Sequence, residues 1–106
     1  MEKKYKIVVY VPETHADILR TALGNAGAGV IGNYTHCTFT LKGTGRFKPG
    51  EGAHPTIGQI GKLEETEEER IETVCEADKL QEVLKAIRDA HPYEEPATDV
   101  YPIEIV

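Results

Sequence analysis

Tyr5-Lys6-Ile7-Val8-Val9-Tyr10-Val11 is the stretch that decides the fold. It is rich in β-branched and aromatic residues and is stopped by Pro12, so it predicts a strand. Side chains of a strand alternate between two faces. Ile7, Val9 and Val11 therefore share one face, and Val8 and Tyr10 the other. Both faces are apolar, and a strand of that kind normally has both sides buried. Helices of the same chain can cover one side. The other side needs a second layer, either a neighbouring subunit or the long central segment of this chain.

Working outward, Thr14 reads as an N-cap with Asp17 three residues on, opening a helix. Ile18, Leu19, Ala22, Leu23 and Ala26 form its apolar stripe, and Gly24, Gly27 and Gly29 end it. Cys37, Phe39 and Leu41 then alternate with His36, Thr38 and Thr40, which predicts a strand with the first set facing the core. Arg70 to Cys75 is a further alternating strand, with Ile71, Thr73 and Cys75 on one side. Asp78, supported by Gln81, caps a second helix whose stripe is Leu80, Val83, Leu84 and Ile87. Thr98 to Val106 closes the chain as a strand, with Val100 on one face and Tyr101, Ile103 and Ile105 on the other. The order β-α-β-β-α-β is that of an α+β, ferredoxin-like sandwich. Its four-stranded antiparallel sheet carries both helices on one face.

The chain has 106 residues and a formal net charge of −6. That length fits a single domain over residues 1–106, and it buries about 65% of the unfolded surface. The acidic balance argues against nucleic acid or an anionic membrane as partner, because both need a basic footprint. The apolar run at 7–11 is too short for a membrane span or a secretory signal, so a cytoplasmic location is the default expectation. Cys37 and Cys75 lack metal or redox spacing and read as buried free thiols.

Two segments concentrate the polar chemistry. Gly43 to Thr66 is long for a connection, and such loops are usually functional. Gly43-Thr44-Gly45-Arg46-Phe47 faintly resembles a phosphate cradle, yet no helix start follows it, which leaves a P-loop unsupported. Gln59 to Leu63 is a candidate extra strand, and Glu64 to Glu69 reads as a solvated turn and strand entry. The other segment is His91-Pro92-Tyr93-Glu94-Glu95-Pro96. Its two prolines push His91 and Glu95 out of the helical region, so the second helix stops near Ala90. The two segments are expected to pack together as one polar cleft.

Several strings carry a specific resemblance. They are Gly27-Ala28-Gly29-Val30-Ile31-Gly32-Asn33-Tyr34 followed by Cys37-Thr38-Phe39, Gly43 to Pro49, Pro55-Thr56-Ile57-Gly58, Glu69-Arg70-Ile71-Glu72 and His91 to Ala97. In that order they resemble the inserted domain of the YqfO-type, NIF-three-like proteins, from Tyr5 onward. The resemblance implies a ferredoxin-like domain similar to the CutA and PII regulators, which form trimers. Full-length members flank this insert with two halves of a domain holding a dinuclear metal site. This chain is too short to contain those halves, so neither their ligands nor a hydrolase activity carry over. Tyr34, Arg46 and Tyr93, inside the matched motifs, are candidate ligand-binding residues.

Two functions of different class are expected from these readings. One is a small oligomeric binding or regulatory module, with a trimer favoured, taking a divalent metal or small ligand between subunits. His36, His54, His91, Glu94 and Glu95 are its candidate metal ligands, a mixed set suited to a divalent transition metal. For each histidine a hydrogen-bonded structural role is the competing reading. The alternative function is a small hydrolase or metal-dependent enzyme with His91 as base and Glu94 or Glu95 as acid or metal ligand. The chain shows no nucleophile motif, and no catalytic residue is assigned.

Overall fold

The computed structural model describes residues 2–106. Six elements follow one another: β1 (Glu2–Pro12), α1 (Ala16–Asn25), β2 (Phe39–Phe47), β3 (Glu64–Glu76), α2 (Leu80–Ala90) and β4 (Thr98–Ile105). The strands form one antiparallel sheet in the order β2-β3-β1-β4. This is the expected β-α-β-β-α-β arrangement, with the doubly apolar β1 at an inner position.

Each helix is entered through a short 3-10 turn, Glu13–His15 before α1 and Ala77–Lys79 before α2. Neither Thr14 nor Asp78 caps a helix. The N-cap positions are His15 and Lys79, without a side-chain bond. The tighter 3-10 turn leads the chain into the helix in place of a capping side chain. Thr14 instead bonds its neighbour His15, Oγ1 to Nδ1 at 2.9 Å.

The core lies between the helices and one sheet face. Ile7, Val9 and Val11 of β1 meet Ile71 and Cys75 of β3, with Leu19 and Leu23 of α1 and Val83 and Ile87 of α2 packed over them. Ile18, expected on the buried stripe, is 57% exposed. Cys75 is buried and Cys37 only partly so. Burial pushes the Cys75 thiol up from its ordinary value, with smaller contributions from Asp78 and Glu76.

The face assignment of β2 is a correction. Thr40 pairs with Ile71 and so lies on the helix-covered side, which turns Phe39 and Leu41 to the other face. The cause is a polar cluster under α1. Arg20 donates to Glu69 Oε1 at 2.6 Å, to Thr40 Oγ1 at 3.2 Å and to Asp17 Oδ1 at 2.6 Å. Glu69 is only 7% exposed, and a carboxylate so placed must be paired. Sheet pairing also shortens the central loop. Residues Gly43 to Phe47 belong to β2 and the acidic run Glu64 to Glu69 to β3, leaving 48–63 as the connection. Gln59 to Leu63 forms no strand; Lys62 N–H donates to Gln59 O at 3.1 Å, and Gly61 N–H to Pro49 O at 2.8 Å.

On the face away from the helices, Val8 is covered by its neighbours, but Phe39, Leu41 and Tyr101 stay exposed. The central loop leaves them open. Among the described residues no helix is long and apolar enough to cross a membrane.

Leu19 and Ile18 give a direct check on the packing. Leu19→Ala should cost about 2–5 kcal/mol in chemical denaturation, since it empties a fully buried site. Ile18→Ala should stay within about 0.5 kcal/mol, as surface changes usually do.

Candidate functional site

The proline turn is held by one residue of β1. Tyr10 N–H donates to Ala97 O at 3.1 Å, and Tyr10 O accepts from the His91 ring at 2.7 Å. His91 is also the last joint of α2, its N–H donating to Ile87 O at 2.8 Å. Its other ring nitrogen, Nδ1, accepts the Tyr93 N–H at 3.1 Å. A carbonyl only accepts and an amide N–H only donates, so these partners assign the proton to Nε2 and a lone pair to Nδ1. The ring is neutral and 6% exposed. Burial holds its pKa below the ordinary histidine value, opposed by the Tyr10 carbonyl and by Glu68.

Tyr93 projects from the turn between two rings, with centroids 5.1 Å from His91 and 5.9 Å from Phe47. Its hydroxyl donates to Glu68 Oε2 at 3.0 Å. Burial, and then Glu68, push the phenol up to about 12. The Glu68 carboxylate lies directly over Gly45, where a Cβ would collide with it. Gly43 and Gly45, two apart in β2, share the face from which Glu68 rises. A side chain at Gly45 would push the Glu68 carboxylate from this position, whereas Gly43 faces open space.

Across from the turn stands the glycine-rich loop. His54 N–H donates to both Glu94 oxygens, at 2.8 and 3.2 Å, and the Thr56 hydroxyl donates to Pro92 O at 2.7 Å. Between the two segments is a cavity of about 450 Å³, walled by Phe47, Pro55, Ile57 and Tyr93 with Lys48 and Glu95 among its charged groups. A second hollow of about 330 Å³ shares Tyr10, Gly45 and Glu68 with it and extends over Gly43 toward Leu41. The expectation of one shared cleft matches this geometry, although its walls are mainly apolar and aromatic where a polar cleft was expected.

The candidate residues divide accordingly. Arg46, Tyr93, Glu94 and Glu95 line the cavity, although Arg46 is paired with Glu65 at 3.0 Å. His54 contributes its backbone N–H. His36 lies elsewhere: it has φ 60°, its ring is seated over Gly24, and its nitrogens bond Thr35 and Asn25 at 3.0 and 3.1 Å. Tyr34 is 75% exposed beside the small Ile31–Tyr34 bridge, outside the cleft. Among the described residues, no three His, Cys, Asp or Glu side chains are grouped to hold a metal ion. Within one subunit the five candidate metal ligands are thus not assembled, and His91 has both nitrogens engaged. Tyr10, Phe47, Gly45 and Glu68 were not picked out as site residues. The i, i+2 spacing of Gly43 and Gly45 was the available signal, since in a strand it clears one face.

No family model matches the sequence. The GTP cyclohydrolase 1 type 2 homolog of Halalkalibacterium halodurans is 56% identical over 102 residues, covering 96% of this chain and 27% of that protein. A crystal structure of a Bacillus cereus protein related to NIF3 superposes with TM-score 0.85 at 54% identity, covering 98% of this chain and 26% of that one. The periplasmic divalent cation tolerance protein CutA of Archaeoglobus fulgidus shares the fold, with TM-score 0.68 at 19% identity over 99% of this chain and 87% of that one. Fold and topology therefore define a CutA-like, ferredoxin-like domain. At the finer level, the chain is a version of the CutA-like domain found in the NIF3-related, YqfO-type proteins. It spans about a quarter of the length of the curated relatives it matches.

The Tyr93–Glu68 pair can be read spectroscopically. Glu68→Gln removes the neighbouring negative charge, so the Tyr93 phenol should titrate below the present value of about 12 in ultraviolet absorbance. Gly45→Ala should act in the same direction by displacing the carboxylate.

Proposed function

We propose that this domain is a self-assembling regulatory module that takes a small organic ligand in the cleft between its glycine-rich loop and its proline turn. The observation that carries the reading is the bond of the His54 amide to the Glu94 carboxylate, which closes two distant segments around one cavity. Apolar and aromatic walls, set with charged groups of both signs (Arg46, Lys48, Glu68, Glu94 and Glu95), suit a polar organic molecule better than a bare cation. Residues 1–106 act as one domain in this reading.

Assembly is proposed through the open sheet face, as a homotrimer. Exposed Phe39, Leu41 and Tyr101 support this, because monomers rarely leave large apolar patches uncovered. Two unpaired thiols fit a reducing, cytoplasmic setting. The chemistry named in the relatives belongs, in this proposal, to the part of those proteins that the chain does not span. An enzyme using His91 as base is disfavoured, because its lone pair is already taken by the Tyr93 N–H.

Both parts are open to test. Sedimentation should show an oligomer for the unmodified chain, and Phe39→Glu with Leu41→Glu should weaken it about tenfold or more, since burying an unpaired charge is costly. A stable monomer at micromolar concentration would overturn the assembly. A thermal-shift screen of small metabolites should find a ligand that stabilises the protein by about 2–3 kcal/mol near saturation. Ile57→Trp, which fills the cavity, should abolish that shift.

A further inference from the structure

The His91 ring packs behind Tyr93, one wall of the cleft, without lining the cleft itself. It joins α2, β1 and the proline turn; the Nε2–H contact survives protonation, and the Nδ1 contact admits only the neutral ring. Nε2–H donates to Tyr10 O, and Nδ1 accepts from Tyr93 N–H. The next residues along the turn make the bonds that close the cavity: Tyr93 hydroxyl to Glu68, Pro92 O from Thr56, and Glu94 from the His54 amide.

We propose that His91 is a proton-operated latch on this cleft: neutral, it holds the turn against the glycine-rich loop; protonated, it releases Tyr93 and lets the cleft open. The inference concerns regulation of the site and rests on reading the cleft as the ligand site. A proton added at Nδ1 would point at the Tyr93 N–H, setting two donors face to face where one bond had been. The groups facing the ring are the Tyr10 carbonyl on β1, Glu68 on β3, Tyr93 on the turn, and His15 in the 3-10 turn before α1. Glu68 favours the charged ring and His15 opposes it, while burial, the largest influence, favours the neutral form.

The sign follows from linkage. A histidine whose folded pKa is depressed contributes stability that is complete above its unfolded value of about 6.5. That contribution is lost as pH falls from there through the folded value. The cleft is therefore closed at neutral pH and loosens on acidification.

Nitrogen-detected NMR of the ligand-free chain tests this. At neutral pH the His91 ring should show the Nε2–H tautomer. As pH falls, the Tyr93 and His54 amides should shift with the same midpoint as the His91 ring. Their hydrogen exchange, corrected for intrinsic pH dependence, should speed by up to about tenfold per unit fall in pH as that midpoint is approached from about 6.5, and level off below it. His91→Gln, which keeps a donor and an acceptor but does not titrate, should abolish the coupled transition. His15→Gln should leave the transition in place. A His91 midpoint with no matching response at Tyr93 and His54 would overturn the latch, as would a response that survives in His91→Gln. If the glutamine variant does not fold, coincidence of midpoints in the unmodified chain still decides. A latch without any ligand in the metabolite screen refutes the ligand reading alone; a ligand without the transition refutes the latch alone.

Discussion

The site depends on how Tyr10 spends its main-chain groups. A strand residue beside two neighbours normally gives both its N–H and its C=O to the sheet ladder. Here, on the β4 side, the N–H reaches Ala97 at the end of the proline turn and the C=O takes His91 at its beginning. The whole turn is thereby fastened to the inner strand by one residue. The strand itself is anchored on its core side by Ile7, Val9 and Val11, all fully buried. Rigidity passes from the hydrophobic core to the turn through two hydrogen bonds, with no intervening flexible side chain on β1.

The opposite wall is built differently. The loop over 48–63 has no regular structure and is held by its ends in the β2–β3 hairpin and by the bonds from His54 and Thr56 to the turn. Bonds of this exposed kind contribute on the order of 1 kcal/mol each. The loop wall is therefore the softer one, while the turn wall, tied to His91, is the firmer. Such asymmetry suits a ligand cleft, because a rigid face sets orientation and a softer face admits the ligand.

The polar residues of the sheet serve two unlike purposes. On the helix-covered face, Glu69 and Thr40 are matched by Arg20, and this trio displaces apolar side chains of β2 to the open face. On that open face, Arg70 donates to Tyr10 OH at 2.9 Å and to Glu72 at 2.9 Å. Its charge is thus satisfied among exposed Leu41, Phe39 and Tyr101. A neighbouring copy covering this face would meet Arg70 already paired, which lowers that part of the desolvation cost of association.

Much of this was legible in the residues themselves. The double-sided β1, the β-α-β-β-α-β order, the end of α2 at Ala90 and the pairing of the two loop segments follow from period, proline chemistry and apolar alternation, all local properties of the chain. The side of β2 that meets the helices was not legible, because alternation shows two faces but not which one is inward. That choice fell to Arg20 and Glu69, 49 residues apart. Likewise Gly45 reads as part of the long central connection until pairing with β3 puts it beneath Glu68. His91 carried the same ambiguity: Asp89, Glu94 and Glu95 stand close to it in sequence, which reads as a ligand site. Its partners in space are the carbonyl of Tyr10, 81 residues away, and the amide of Tyr93. A side chain's chemistry is written in the sequence; its protonation state and its partners are decided only when distant segments meet.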